Sequence, residues 1–302
     1  MRASLQGSRK ASHAGSWYTD DARKLDIQLS EWLQSALSSR QASCAVITPH
    51  AGYDYSAATA AFAFKQIDPS KVKRFFVLGP SHYLGMSGKC ALSTVTFYDT
   101  PLCKLPIDGG VYEQLRKTRE FLDLSLRDDE DEHSLEMQMP FIAKIMENYR
   151  GGLTIIPVVV GSLSPDREAV YGRIFAPYLS DPGNVFVISS DFCHWGRRFQ
   201  YTRYDRSKGE IWQSIQAMDE EGMRAIESLS PAEFTSYLYQ CGNTICGRHP
   251  IGILLQMVDI LRKQSPSANV DFKFVKYAQS EHCHTIDQSS VSYAAGSLRI
   301  QL

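Results

Sequence analysis

Four short runs of apolar residues, rich in β-branched and aromatic side chains and bounded by polar turn residues, predict buried β-strands. They are CAVIT at 44–48, RFFVLG at 74–79, LTIIPVVVG at 153–161 and NVFVISS at 184–190. The runs are continuous and do not alternate with polar residues, which is typical of strands covered on both faces. The pattern therefore predicts a largely parallel sheet.

Helical patterns lie between these runs, at 56–66, 132–148 and 250–262. Less regular β segments at 91–98 and 290–300 predict added antiparallel strands. The alternation of strand and helix favours an α/β fold, and no repeat or linker divides the chain. We expect a single domain over 1–302, with a mixed, largely parallel sheet flanked by helices and with 1–10 as a flexible tail.

Composition narrows the functional classes. The chain has 32 Lys plus Arg against 33 Asp plus Glu and no long basic run, which argues against a nucleic-acid partner. Seven cysteines without a Cys-x-x-Cys motif favour a reducing compartment. The polar N-terminus does not resemble a signal peptide, and the apolar stretch at 153–160 is too short to span a membrane. We expect a cytoplasmic protein, with the nucleus as an additional compartment.

Three of the eight histidines directly follow predicted strands: His50, His82 and His194. In open α/β sheets the ligand site lies at the carboxyl ends of the strands. A single histidine there is more often a turn cap, but three at one edge favour a metal or acid–base site. Asp191 precedes His194 by three residues and belongs to the same edge.

Cys246 precedes the helical pattern at 250–262, with Arg248 close by. A helix N-terminus and a positive charge both favour a thiolate, so we expect a lowered thiol pKa. The alternative is a buried, inert cysteine. A nucleophilic cysteine with His194 or His82 as its base is a further alternative.

The acidic run at 128–132 precedes His133 and Glu136. We expect residues 128–131 to be a solvated helix start. His133 and Glu136 are three residues apart and share one helix face, so that they could support a histidine of the site. Trp17 lies in an aromatic turn and is a candidate pocket residue.

Seven motifs together resemble the Memo family, named for mediator of cell motility. They are HAGSWY at 13–18, PHAGY at 49–53, GPSH at 79–82, DEDEHSLEMQMP at 129–140, SSDFCHWG at 189–196, NTICGRHPIG at 243–252 and SSVSYAAG at 289–296. The resemblance runs from about residue 11 to the C-terminus. It implies a fold similar to the class III extradiol dioxygenases, non-haem iron enzymes in which two histidines and a carboxylate hold the metal.

The resemblance assigns His50 and His82 as metal ligands and places Cys246 where the enzymes have a carboxylate. That departure counts against ring-opening activity on an aromatic diol, in which His194 would act as acid or base. Family membership also implies copper and iron binding, copper-dependent redox chemistry, and recognition of phosphotyrosine segments of receptor tyrosine kinases. Two imidazoles and a thiolate are a soft ligand set, so we expect copper first, iron second, and zinc as a further choice.

Three further roles complete the expected site. Asp191 and His194 lie beside the metal as catalytic residues, with His133 and Glu136 behind the ligands. Trp17, Arg198 and Arg248 are the candidate binding residues, since an arginine fork suits a phosphate. The alternative to metal chemistry is an interaction module that binds phosphotyrosine peptides in the same cleft.

Overall fold

The computed structural model describes residues 5–38 and 42–301, which form α-helices, β-strands and two short 3-10 helices. The strands are β1 Ser8–Arg9, β2 Ala45–Thr48, β3 Arg74–Pro80, β4 Cys90–Leu92, β5 Phe97–Asp99, β6 Lys104–Pro106, β7 Phe121–Asp123, β8 Thr154–Val160, β9 Asn184–Ser189, β10 His194–Trp195, β11 Asn269–Gln279 and β12 Ser290–Gln301. The helices are α1 Ala22–Ser35, α2 Tyr53–Phe64, α3 Gly109–Lys117, α4 Leu126–Asp131, α5 His133–Glu136, α6 Met139–Ile145, α7 Pro165–Leu179, α8 Ile211–Glu227, α9 Pro231–Cys241 and α10 Arg248–Gln264. The 3-10 helices are Arg197–Phe199 and Arg206–Lys208.

The large sheet has the order β10-β12-β2-β9-β3-β8-β4-β7, with β11 paired to β12. Strands β2, β9, β3 and β8 are mutually parallel and fully or almost fully buried. Strands β12 and β4 pair antiparallel on either side of this centre. The predicted α/β domain with a mixed, largely parallel sheet is confirmed, and so are the four strands read from the apolar runs.

The helical pattern at 132–148 is interrupted in the structure, where it forms α5 and α6. Pro140 lies in the first turn of α6, and proline fits that position because its missing N–H has no intrahelical partner there. The break turns α5 towards the carboxyl end of β3. At that point Gly79 leaves space for Ser134 and Leu135, which a Cβ atom would meet at 2.6 and 3.0 Å.

The segment expected to be a flexible tail is in part a strand. Residues 1–4 lie outside the described residues, but β1 pairs with β5 and the Arg9 side chain is only 1% exposed. Arg9 is held by Asp129 and Glu136, two carboxylates of the acidic segment. The expectation of a flexible tail is therefore wrong for Ser8 and Arg9.

Among the described residues, no helix combines the length and the apolar character needed to cross a membrane. The core is formed by the two faces of the large sheet and the helices that cover them. A smaller group of buried residues joins Trp195 of β10 and the adjacent Cys193 to Ile211, Ile215 and Cys283. This packing supports the strand end at which His194 lies.

Candidate metal centre

The carboxyl ends of three parallel strands bring the predicted site residues to one edge of the sheet. His50 follows β2, His82 follows β3, and Asp191 and His194 follow β9. Because β2, β9 and β3 are adjacent and parallel, their carboxyl ends meet at the same place. Cys246 reaches that place from the loop between α9 and α10.

His50, His82 and Cys246 converge as expected. One donor atom of each lies within 4.8 Å of the other two, and Cys246 Sγ is 3.2 Å from His50 Nε2. The imidazole rings of His50 and His82 lie edge to face, with centroids 5.2 Å apart. Three side chains separated by up to 196 positions in the sequence are thus gathered around one point.

Hydrogen bonds orient the His50 ring. Its Nδ1 lies 2.7 Å from Ser189 Oγ, and the Ser189 hydroxyl donates to the carbonyl oxygen of Ser134. Ser189 therefore accepts from Nδ1–H, which leaves the lone pair of Nε2 free for a metal. Burial, followed by the nearby histidines, holds the pKa of His50 well below its usual value, so the ring is neutral.

Glu132 orients His82 in the same way. Its two carboxylate oxygens accept the His82 backbone N–H at 2.7 Å and Nδ1–H at 2.8 Å, which again leaves Nε2 free. Burial opposes ionisation of Glu132, but the hydrogen bond and charge of His82 outweigh it and lower the carboxyl pKa to about 2. Our expectation for the supporting glutamate was Glu136, and the supporting role at His82 belongs to Glu132.

The loop that carries Cys246 is fixed on both sides of the sulfur. The hydroxyl of Thr244 accepts the His194 backbone N–H at 2.7 Å, and Gly247 N–H donates to Ser190 Oγ at 3.0 Å. The Asp191 N–H donates to the sulfur at 3.2 Å. A Cβ atom at Gly247 would clash with Ser190, so glycine is needed for this close approach.

The expected lowering of the Cys246 pKa is wrong for the metal-free site. Burial, reinforced by the neighbouring Asp191 carboxyl group, raises the thiol pKa. Desolvation outweighs the favourable end of α10, because that effect is worth only about 0.3–1 kcal/mol at most surfaces. A metal would reverse this balance, since a coordinated thiol loses its proton.

The donor set fits a soft metal ion. In tetrahedral coordination with bond lengths of roughly 2.05 Å to nitrogen and 2.3 Å to sulfur, the two ligand atoms are about 3.6 Å apart. The distance of 3.2 Å between His50 Nε2 and Cys246 Sγ therefore needs to open by only about 0.4 Å. The His82 side chain is 27% exposed and provides the side from which an ion can enter.

His82, Glu132 and His133 are a second group close enough to hold an ion. The Glu132 carboxylate is committed, because it accepts two hydrogen bonds from His82 and also accepts the Ser134 N–H at 2.9 Å. The His133 ring stacks on His82 with centroids 4.4 Å apart, and its buried Nδ1 has no hydrogen-bond partner among the described residues. This group is best understood as support for His82, the role expected for His133.

Glu136 supports a different histidine. Its carboxylate contacts His13 Nδ1 at 2.8 Å, the Tyr18 hydroxyl at 2.9 Å and Arg9 Nη1 at 2.6 Å. Burial is again outweighed, here by the hydrogen bond of His13 and by Arg9, so that the pKa of Glu136 falls to about 2. Sequence reasoning assigned no role to Arg9 or His13.

Asp129 differs from the expected solvated helix start. It is buried and accepts hydrogen bonds from Arg9, Ser93 and Tyr98. Asp131 is exposed as expected, and Asp128 and Glu130 are half-buried. The acidic run therefore alternates between solvent and the interior, and its buried members anchor the segment that carries Glu132.

Asp191 and His194 lie beside the donors. Asp191 Oδ2 is 3.9 Å from His50 Nε2, and Oδ1 accepts the His50 backbone N–H at 2.8 Å. Burial raises the pKa of Asp191, against the effect of nearby His194. The Nδ1 atom of His194 lies 3.0 Å from the carbonyl oxygen of Phe192, so that this nitrogen is the donor and Nε2 is left free.

The three candidate binding residues do not all lie at the same site. Trp17 is half-buried and stacks against His133, with centroids 4.3 Å apart. Arg198 is exposed and lies over Phe199, whose ring packs against His194. Arg248 lines a separate pocket that includes none of the three converging donors. Trp17 and Arg198 thus lie next to residues around the metal centre, whereas Arg248 lies in a different pocket.

Comparisons with known proteins show which family the chain resembles over almost its whole length. The family model described as "Memo-like protein" matches residues 9–297. The chain is 54% identical to "Protein MEMO1" of Xenopus tropicalis over 96% of this chain and 97% of that protein, and 52% identical to "Protein MEMO1" of Homo sapiens over 97% of each. It is 51% identical to "Protein memo-1 homolog" of Caenorhabditis elegans over 99% of this chain and 85% of that protein.

A solved structure shares the fold at low sequence identity. It is the crystal structure of uncharacterized protein JW3007 from Escherichia coli K12, with a TM-score of 0.50 and 13% identity, covering 83% of this chain and 98% of that chain. At this identity the likeness concerns the fold alone.

Proposed function

This chain belongs to the Memo-like protein family, and from that premise we propose that it is a metal-binding protein whose centre is His50, His82 and Cys246. Copper is the first choice of metal, iron the second, and zinc a further one, because two imidazoles and a thiolate form a soft ligand set. Redox activity, signalling in cell motility, and a cytoplasmic location with the nucleus as a second compartment complete the proposal.

The observation that carries the proposal is the convergence of three prepared donors. Nδ1 of His50 and Nδ1 of His82 are both occupied by hydrogen-bond acceptors, so that each ring presents Nε2. Metal-ligating histidines characteristically have this arrangement, and the outer partner fixes the ring orientation. When bound, copper would supply electron transfer. Asp191 and His194 lie beside the three donors, where their side chains could accept or donate a proton.

A competition titration with a chromogenic copper(I) chelator tests the centre. We expect Cys246→Ser and His82→Ala to lower copper(I) affinity by more than about 100-fold, beyond the roughly 10–100-fold that loss of an outer partner costs. Cys103→Ser is the matched control, because Cys103 is a half-buried free cysteine outside the centre. Unchanged affinity in both centre variants would rule the proposal out. Parallel titrations with zinc(II) and anaerobic iron(II) rank the metals.

Recognition of phosphotyrosine segments is a second candidate function. It is favoured by the exposed Arg198, for which no hydrogen bond or ion pair occurs among the described residues. Neighbouring Arg197 is paired with Asp287 at 3.1 Å and serves as the control. Calorimetry should find that a phosphorylated peptide binds more tightly than its unphosphorylated form, and that Arg198→Gln removes the difference whereas Arg197→Gln does not. Equal binding of the two peptides would eliminate this function.

Ring opening of an aromatic diol is the weaker alternative, because the family resemblance implies that Cys246 replaces the carboxylate ligand of the extradiol dioxygenases. Asp191 lies beside His50 Nε2, with Oδ2 at 3.9 Å, but its Oδ1 is committed to the His50 backbone. Oxygen uptake by the iron(II)-reconstituted protein in the presence of catechols tests the alternative directly. We expect no uptake above that of the His82→Ala variant.

A further inference from the structure

A pocket of about 300 Å³ lies between helices α7, α9 and α10. It is separate from the metal centre, since none of the three metal donors lines it. Its apolar walls are Leu163, Pro165, Phe234, Leu238 and Tyr239. Leu163 and Phe234 are almost completely buried and form the floor. Small-molecule sites have this character, a mostly apolar cavity with a few polar groups that fix the orientation of the ligand.

The polar end of the pocket is formed by Glu168, Arg248 and His249. Glu168 Oε1 lies 2.8 Å from His249 Nδ1, and both side chains are largely buried. The Glu168 carboxylate occupies the space that a side chain at position 252 would fill, because a Cβ atom on Gly252 would clash with it. Glu168 is thereby committed to His249 and is fixed against α10.

Arg248 is exposed, and among the described residues its guanidinium makes no hydrogen bond or ion pair with another side chain. It is therefore the free cation of the pocket. A guanidinium presents a planar fork of donors that matches a carboxylate. Glu168 lies close enough for its charge to be felt by Arg248, which favours a ligand with one negative charge over a dianion such as a phosphate monoester.

The pocket also opens towards a neighbouring groove of about 720 Å³, with which it shares Pro165, Thr235 and Tyr239. Tyr239 is 92% exposed and lies at the junction. A ligand longer than the pocket can therefore continue into the groove. A ligand with an elongated apolar body and a carboxylate at one end would pack against the apolar walls and pair with Arg248.

We propose that this pocket binds a monocarboxylate with an aliphatic or aryl-aliphatic body, its carboxylate on Arg248 and its body against Phe234 and Leu238. This inference is independent of the metal centre, and its test uses the full chain with metal removed by a chelator.

Isothermal calorimetry with octanoate is the direct experiment. We expect saturable binding, and we expect Arg248→Gln to weaken it by about tenfold or more, since a charge-assisted hydrogen bond is lost. Arg262→Gln is the matched control, because Arg262 is an exposed arginine in the last turn of the same helix. Leu238→Gln should also weaken binding. It changes a half-buried wall residue and leaves the buried floor intact.

Three further ligands separate the proposal from its competitors. Octylamine and octanol should bind more weakly than octanoate, and octyl phosphate should not bind more tightly. Absence of octanoate binding, or equal octanoate binding by the wild type and Arg248→Gln, would overturn the proposal. So would a short peptide with a free carboxyl end that binds in an Arg248-dependent manner where octanoate does not, because the occupant would then be a protein.

Discussion

Replacing Arg9 with methionine tests how the beginning of the chain supports the metal centre. The guanidinium donates to the carbonyl oxygens of Lys10, Asp129 and Glu132 and to the carboxylates of Asp129 and Glu136, at 2.6–3.2 Å. Methionine fills much of the same volume. The main consequence is therefore the loss of these bonds and of a buried positive charge.

The expected cost follows from what remains. Asp129 and Glu136 are each 1% exposed, and removing one partner of a buried ion pair typically costs about 3–5 kcal/mol. Asp129 keeps its bonds from Ser93 and Tyr98, and Glu136 keeps those from His13 and Tyr18. We therefore expect the lower end of that range, a loss of about 3 kcal/mol in the free energy of unfolding.

Urea unfolding followed by tryptophan fluorescence measures this loss. Arg197→Met is the control, because Arg197 pairs with Asp287 at 3.1 Å with side chains that are 69% and 76% exposed, and exposed pairs contribute about 1 kcal/mol or less. Copper(I) affinity of Arg9→Met should also fall, since Arg9 holds the backbone of Glu132. A loss no larger than that of Arg197→Met would refute the reasoning.

Three other predictions concern single side chains. Glu132→Gln should lower copper(I) affinity by roughly 10–100-fold in a chelator competition, because the His82 ring loses its anionic partner; unchanged affinity would contradict the supporting role. Burial raises the pKa of Asp219 to about 6 from 3.8, so the folded state favours its protonated form and stability is lost as the pH rises from about 4 to 6. In urea unfolding, the free energy of unfolding of the wild type minus that of Asp219→Asn should thus be about 2 kcal/mol greater at pH 4.5 than at pH 7.5. A difference that does not change with pH would show that folding does not raise the pKa of this carboxyl group. Gly79→Ala should cost about 1–3 kcal/mol in thermal unfolding, since the new methyl group meets Ser134 Oγ, and a second substitution of Ser134 by glycine should recover part of that loss.

The positions of His50 and His82 were predictable because the end of a buried strand can be recognised from a short stretch of sequence. The apolar runs before His50 and His82 are continuous, and parallel strands place their carboxyl ends together. The ligand role of Cys246 was given only by the family resemblance, because loop geometry between α9 and α10 is not encoded in a periodic pattern. Its spatial approach depends on contacts with Ser190 and Asp191, far away in the sequence.

Most of the remaining differences concern charged side chains that are buried because they bind partners far away in the sequence. Arg9 and Asp129 appear as ordinary polar residues in a local window, yet they meet across 120 positions. Glu132 and Glu136 are both acidic and close to histidines in the sequence. Only the three-dimensional arrangement decides that one contacts His82 and the other His13. The prediction of a thiolate at Cys246 was wrong because the burial that raises its pKa cannot be read from the sequence.

Strand β12, the last strand described, pairs with β2, β10 and β11. During synthesis on the ribosome, His50, His82 and Cys246 all emerge before β12, the strand that lies beside β2 and positions β10. N-terminal segments fold first when they can, yet this sheet cannot be completed until residues 290–301 have left the exit tunnel. Nascent chains would thus hold two imidazoles without their finished surroundings. For the proposed metal centre, we therefore expect selective capture of an ion to require translation through β12. A premature stop codon within β12 should abolish it even though every proposed ligand has been translated.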